Sequence, residues 1–139
     1  MKNIFKIVLF SIAVVSCRQP INPADIAKLN GYWEIEKVTS PDHEDKDYKI
    51  NETIDYFEIK NNSGVRHKVT PQFNGTYLVN EYAENFKIKN KDDKTYLTYS
   101  TKFATWSDEL ISITADKFVV KNNANNEYHY KKPIPFSVK

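Results

Sequence analysis

Apolar positions follow different patterns in different parts of the 139-residue chain. Residues 7–15, IVLFSIAVV, form an uncharged run directly after MKNIFK, which carries Lys2 and Lys6. The stretch that follows is aperiodic. Pro20 and Pro23 keep RQPINP extended. PADIAKLNG, residues 23–31, suits one or two helical turns, with Pro23 at a first helical position and Gly31 as the stop. From Gly31 onward apolar and polar residues alternate with a period of two, in short runs broken by turn residues, which is the pattern of half-buried strands.

The breaks place the strands. YWEIEKVT, 32–39, precedes a charged loop around 41–49. IDYFEIKN, 54–61, and VRHKVT, 65–70, read as a hairpin turning at Asn62-Ser63-Gly64, and Pro71 ends it. Asn74-Gly75 is a further turn, followed by separate strands TYLVN, 76–80, and ENFKIKN, 84–90. Lys91-Asp92-Asp93 turns into KTYLTYS, 94–100. DELISIT, 108–114, turns at Ala115-Asp116 into KFVVK, 117–121. After a polar loop at 122–126, EYHYKK, 127–132, is the last strand. Nothing after residue 30 is long enough for the helical crossover of a dozen or more residues that parallel strands need. The expected fold is therefore all-β: a small antiparallel up-and-down barrel of about 8–9 short strands, preceded by a short helical turn. A two-sheet sandwich is the alternative.

Pairing across the turns suggests which side chains share a face. A two-residue turn at 115–116 sets Ile113 opposite Phe118 and Ile111 opposite Val120. Continued through the last hairpin, this reading puts Glu127 and His129 on that apolar face, and Tyr128 and Tyr130 on the other with Ser112, Thr114 and Lys117. In the 54–70 hairpin one face holds Phe57, Ile59, Arg66 and Lys68, and the other Ile54, Tyr56, Glu58, His67 and Val69. Each mixes apolar and charged groups, so either face can point inward. Such mixing fits a barrel interior that holds water or a polar ligand.

The first 16 residues change the picture of where the domain works. A basic start, an apolar run too short to span a membrane and a small residue before the cut describe a secretory signal. VVSC, 14–17, ends in the only cysteine of the chain, Cys17, and resembles a bacterial lipobox, with Val14 where leucine is preferred. The resemblance implies a diacylglycerol on Cys17 and three acyl chains in all, enough for stable anchoring. Arg18 in place of aspartate implies an outer-membrane address. An unmodified free thiol beside an ordinary cleavage site is the alternative. The expected organisation is a lipoprotein signal peptide at 1–16, a lipidated tether at 17–27 and a barrel domain at 28–139. Loss of 1–16 takes Lys2 and Lys6 from the 20 basic residues and none of the 18 acidic ones, so the remainder is formally neutral. That argues against a nucleic-acid partner. No second cysteine is present for a disulfide, so the core alone must hold the domain.

Leu29-Asn30-Gly31-Tyr32-Trp33 resembles the G-x-W signature that opens the first strand of lipocalins, and it follows a short helical turn as theirs does. IDYFEIKNNSGVRHKVTPQFNGTY, YLTYSTKFATW and EYHYKK are similar to the lipocalin-like domain of small bacterial lipoproteins of the Bacteroidota type, over roughly residues 28–132. The resemblance implies a compact barrel with one closed and one open end. It implies that Trp33 packs across the closed end against an arginine near the last strand, where this chain offers Lys131 and Lys132. It also implies binding or transport of a small hydrophobic or amphipathic molecule without catalysis.

Chemical motifs are sparse. No P-loop, dinucleotide-binding or nucleophile-elbow pattern occurs, and no cofactor is expected. DHEDKD, 42–47, has carboxylates but lacks the spacing and the glycine of a calcium loop, and reads as a solvated acidic loop at the barrel mouth. No metal site is expected from His43, His67 and His129. Glu58 and His67 can meet across the hairpin, as an acid–base pair or an ordinary surface pair. The candidate ligand-binding residues, in the lumen or at its rim, are Trp33, Phe57, Arg66, Lys68, Tyr96, Tyr99, Phe103, Trp106 and His129. Tyrosines with Arg66 or Lys68 suit an amphipathic or anionic molecule. The competing reading is a cell-envelope protein–protein interaction module with a filled, ligand-free barrel. Cavity volume separates the two, since ligand pockets run to about 300–1,000 Å³.

Overall fold

The structure, a computed structural model, describes residues 19–134. Cys17 and the expected signal peptide lie outside the described residues. A 3-10 helix spans Pro23–Leu29, with the Asn22 side chain accepting from the Ala24 N–H at 3.0 Å. It is followed by nine strands: β1 (Gly31–Thr39), β2 (Lys46–Asp47), β3 (Ile54–Lys60), β4 (Ser63–Pro71), β5 (Tyr77–Lys91), β6 (Lys94–Ser100), β7 (Thr105–Ile113), β8 (Lys117–Lys121) and β9 (Glu127–Lys131). All pairings are antiparallel between chain neighbours, apart from β1 with β3 and the closing pair β1–β9. Eight strands thus close on themselves, and β2 is an extra strand attached to the outer part of β1.

Most predicted strands are present, with instructive differences. The loop at 41–49 contains β2, whose two residues pair with Lys37 and Val38. The β3–β4 turn is at Asn61-Asn62, one step earlier than expected, because Asn61 adopts a left-handed conformation (φ 59°) and Lys60 pairs with Ser63. The two strands expected at 76–80 and 84–90 are one, β5. A bulge sets residues 80–82 against Lys68 alone, so the strand bends instead of ending.

Bulges also decide which side chains point inward. Ile113 faces Phe118 as expected, but a bulge between Leu110 and Ser112 puts Leu110, not Ile111, opposite Val120. In the last hairpin Lys121 pairs with Glu127 across a five-residue loop, 122–126, so Phe118 faces Tyr130 and Val120 faces Tyr128. Tyr128 and Tyr130 are therefore the inward residues, and Glu127 and His129 point outward, the reverse of the expectation. A one-residue slip in pairing exchanges every side chain between the two faces.

The core fills the end of the barrel covered by the 3-10 helix. Ile26 and Leu29 of the helix press onto Trp33, Phe57, Phe86, Leu97, Leu110 and Phe118. Phe118 is central: its ring lies 4.7 Å from Trp33, 5.7 Å from Phe57 and 4.5 Å from Tyr130. Rings at such distances, edge-on or stacked, add to the burial of their area. The Trp33 Nε1–H donates to the Leu29 carbonyl at 2.8 Å. Where the lipocalin resemblance implied an arginine, Lys132 places its Nζ 3.8 Å from the Trp33 ring centre and donates to the Asn30 carbonyl at 3.3 Å. Burial lowers the Lys132 pKa, with Asp116 acting in the opposite sense. Gly31 leaves this approach open: its φ is +116°, and a Cβ there would sit 3.0 Å from the Lys132 Nζ.

Gly64 is fixed by packing. A Cβ there would run into the Phe86 ring and the Glu58 carbonyl. Gly64→Ala is expected to lower stability by about 1–3 kcal/mol, because backbone and a packed ring must both move. Urea unfolding followed by circular dichroism measures this, and an unchanged midpoint would contradict the close packing of β4 on Phe86.

Candidate functional site

Above the aromatic layer, toward the β4–β5 hairpin and the β6–β7 turn, the lumen becomes polar. Five charged residues alternate in phase with core residues of their own strands: Asp55 with Phe57, Arg66 and Lys68 with Gly64, Glu84 with Phe86, and Asp108 with Leu110. They meet inside the barrel because register carries them there. Phe57 lies opposite Arg66, Asp55 opposite Lys68, and Arg66 opposite Glu84.

Arg66 anchors the layer. Its Nη2 donates to Glu84 Oε2 at 2.7 Å and its Nη1 to the Tyr99 hydroxyl at 3.4 Å, while the guanidinium lies 4.3 Å over the Tyr99 ring. On its other side Tyr99 stacks with Trp106, centroids 5.2 Å apart and planes 14° from parallel. Arg66 is 14% exposed and Glu84 23%. Lys68 forms an ion pair with Asp55; the carboxylate is 2% exposed and the lysine 44%, so Lys68 reaches inward from solvent.

The titration behaviour follows from this packing. Burial works against the Arg66 charge, but Tyr99, Glu84 and Asp55 more than offset it and hold the guanidinium above its ordinary range. Burial pushes the Tyr99 hydroxyl up, with Arg66 opposing. Tyr130 is pushed up by burial and by the neighbouring Asp55 carboxylate. Asp108 is raised chiefly by burial; Arg66 pulls it down and Glu84 pushes it up.

The candidates from sequence separate into groups. Arg66, Lys68, Tyr99 and Trp106 come together in this layer. Trp33 and Phe57 lie in the packed end, where Trp33 is inaccessible. Phe103 sits at the tip of the 101–104 turn, 90% exposed. Tyr96 and His129 point away from the lumen: Tyr96 pairs with Lys89 and Glu109, and His129 lies 3.5 Å from Glu127 on the outer surface. Glu58 does not meet His67, since Val65 is opposite Glu58 and Tyr56 opposite His67. Instead the Tyr56 hydroxyl donates to Glu58 at 3.0 Å. Among the described residues, no three of His, Cys, Asp and Glu converge as a metal cluster would.

Asp55, Glu84, Asp108, Tyr128 and Tyr130 were missed as lumen residues. The available signal was a carboxylate two positions before an apolar residue in the same strand, as in Asp55–Phe57, Glu84–Phe86 and Asp108–Leu110. Outside the barrel, the β4–β5 hairpin stacks Tyr77 on Tyr32 at 4.0 Å and helps to form a cleft of about 220 Å³ with Glu34, Ile54, Pro71 and Lys131.

This chain belongs to the lipocalin-like domain family, whose profile matches residues 29–120. It is similar in structure to an uncharacterized protein from Bacteroides eggerthii DSM 20697, with 13% identity, a TM-score of 0.48, and coverage of 76% of this chain and 99% of that one. It is also similar to a lipocalin-like protein from Bacteroides uniformis ATCC 8492, with 8% identity, a TM-score of 0.47, and coverage of 76% and 98%. No curated protein matches the chain.

Arg66→Met strands Glu84 and is expected to cost about 2 kcal/mol, whereas Arg66→Met with Glu84→Leu recovers part of the loss. A double-mutant cycle in urea reads the coupling, and strictly additive losses would deny it. Asp108 behaves differently. Its carboxyl is held above its ordinary value of 3.8, so the stability it contributes is complete below that value and is lost as pH rises through the raised one. Asp108→Asn is expected to be at least as stable as the parent at neutral pH and to lose any advantage in acid. Thermal unfolding from pH 3 to 8 tests this, and a less stable variant at neutral pH would reverse the sign.

Proposed function

We propose that this protein is a non-enzymatic binding domain, held at the outer membrane by a lipid on Cys17, that takes a small hydrophobic or amphipathic molecule at the mouth of its barrel. The observation that carries this reading is the division of the lumen. One end is filled by Trp33, Phe57, Phe86 and Phe118. The other presents Trp106, backed by the buried Tyr99, beside charged groups that solvent reaches through Lys68. A ligand seated there has an apolar surface to cover and polar groups to orient it, the usual makings of a small-molecule site. The lipidation reading rests on the VVSC segment and the apolar run before it.

A second reading, docking of an envelope protein, is favoured by β5. Among the described residues β5 pairs with β6 only over Asn85–Lys91, so the edge of Tyr77–Ala83 away from β4 has no strand partner, and Leu78, Val79 and Tyr82 are exposed there. An unpaired strand edge accepts an added strand.

Native mass spectrometry of the protein purified from its own host is expected to show an adduct that is lost on unfolding and depleted by Trp106→Ala. Repeated absence of an adduct, with co-purification of a protein lost on Val79→Lys, would establish the docking reading instead. Metabolic labelling with an alkyne fatty acid is expected to mark the parent and not Cys17→Ala; equal labelling of both would remove the anchor.

A further inference from the structure

The five charged groups of the lumen do not pair evenly. There are two cations, Arg66 and Lys68, and three carboxylates, Asp55, Glu84 and Asp108. Lys68 is taken by Asp55 and Arg66 by Glu84. Among the described residues Asp108 makes no hydrogen bond or ion pair of its own, and the cation it feels most, Arg66, is already engaged by Glu84. An isolated, half-buried carboxylate costs free energy that a bound positive group would offset.

The surroundings of Asp108 favour the same sign of charge. Trp106 is two residues away on the same inward face of β7, about 7 Å along the strand. Tyr99 stacks on Trp106 from β6. Aromatic faces beside a carboxylate form a setting for an ammonium group, which is attracted to both. At the mouth end of β1 the 41–47 segment adds Asp42, Glu44, Asp45 and Asp47 against Lys46, with Lys37 already 3.7 Å from Asp45, and Lys102 on the β6–β7 turn leaves the acidic groups still in excess. Fields of one sign at the entrance of a cleft concentrate ligands of the other.

We infer that the barrel mouth takes a small amphipathic cation, an amine with an apolar body, with its ammonium group against Asp108 and its body on the face of Trp106 that Tyr99 does not cover. This rests on the mouth-binding reading above and gives that ligand a chemical class. It narrows the expectation from sequence, in which tyrosines with Arg66 or Lys68 suited an amphipathic or anionic molecule, and drops the anion. Both side chains are consumed by carboxylates that the register brings to them.

The test is calorimetric titration of the purified full-length chain with hexylamine, hexanoate and hexanol, with the Trp106 indole N–H followed by NMR. Hexylamine is expected to move the Trp106 signal saturably and to bind about tenfold more tightly than the other two. Asp108→Asn is expected to abolish that preference and leave hexanol unchanged, while Asp108→Glu retains it; thermal unfolding checks that both variants fold. If hexanoate binds better than hexylamine, or hexanol binds as well, the mouth binds ligands but the cation assignment is overturned. If none of the three moves the Trp106 signal, the assignment and the mouth-binding reading are both overturned.

Discussion

The pairing of β1 with β9 is the contact on which the rest of the molecule depends. Glu34–Thr39 of the first strand zip against Glu127–Lys131 of the last, and only then does the lumen have an inside. β1 pairs with β3 over Gly31–Trp33 alone, so the strand changes partners near its middle. At that point Trp33 enters the core, and the 3-10 helix and Lys132 cover it. Closure, the plug at one end and the polar layer at the other are thus consequences of one strand shared between two neighbours.

Closure also limits what the interior can do. Eight strands enclose a space that side chains can fill, and at the helix end aromatic rings fill it. The opposite end has too many charged residues to pack in the same way. They sit in the lumen because their phase along the strands requires it, and they are tolerated because two pairs neutralise each other while Lys68 keeps contact with solvent. Asp108 remains outside this pairing. The same geometry that fills the lower barrel with rings therefore confines the charged groups to the mouth.

The β4–β5 hairpin is the least regular part of the barrel. The bulge opposite Lys68 bends β5 and carries Tyr77 onto Tyr32, which buries Ile54 and Val69 on the outer side of the sheet. Beyond β6 the same strand keeps a free edge. The charged layer of the lumen and the unpaired edge are close neighbours along β5, since Glu84 belongs to the first and Tyr82 to the second.

Much of the architecture was legible in the residues alone. Period-two alternation from Gly31 onward, turn residues such as Asp92-Asp93 and the lack of any long helix required an antiparallel all-β chain, because each of these is a local property of the backbone and its neighbours. The helical turn at Pro23–Leu29 and the strand Lys117–Lys121 were local in the same sense. Facing was not. It depends on register, which the bulges at Glu36 and Ile111 each shift by a single residue and the length of the 122–126 loop sets for the last hairpin, and one residue is enough to exchange His129 for Tyr130 in the lumen. The site followed suit. Arg66 and Lys68 were visible as cations near aromatic residues, but their carboxylate partners come from other strands, at positions that only the folded register brings together. Local sequence determined the strands; closure of the barrel decided which charges meet and which one is left over.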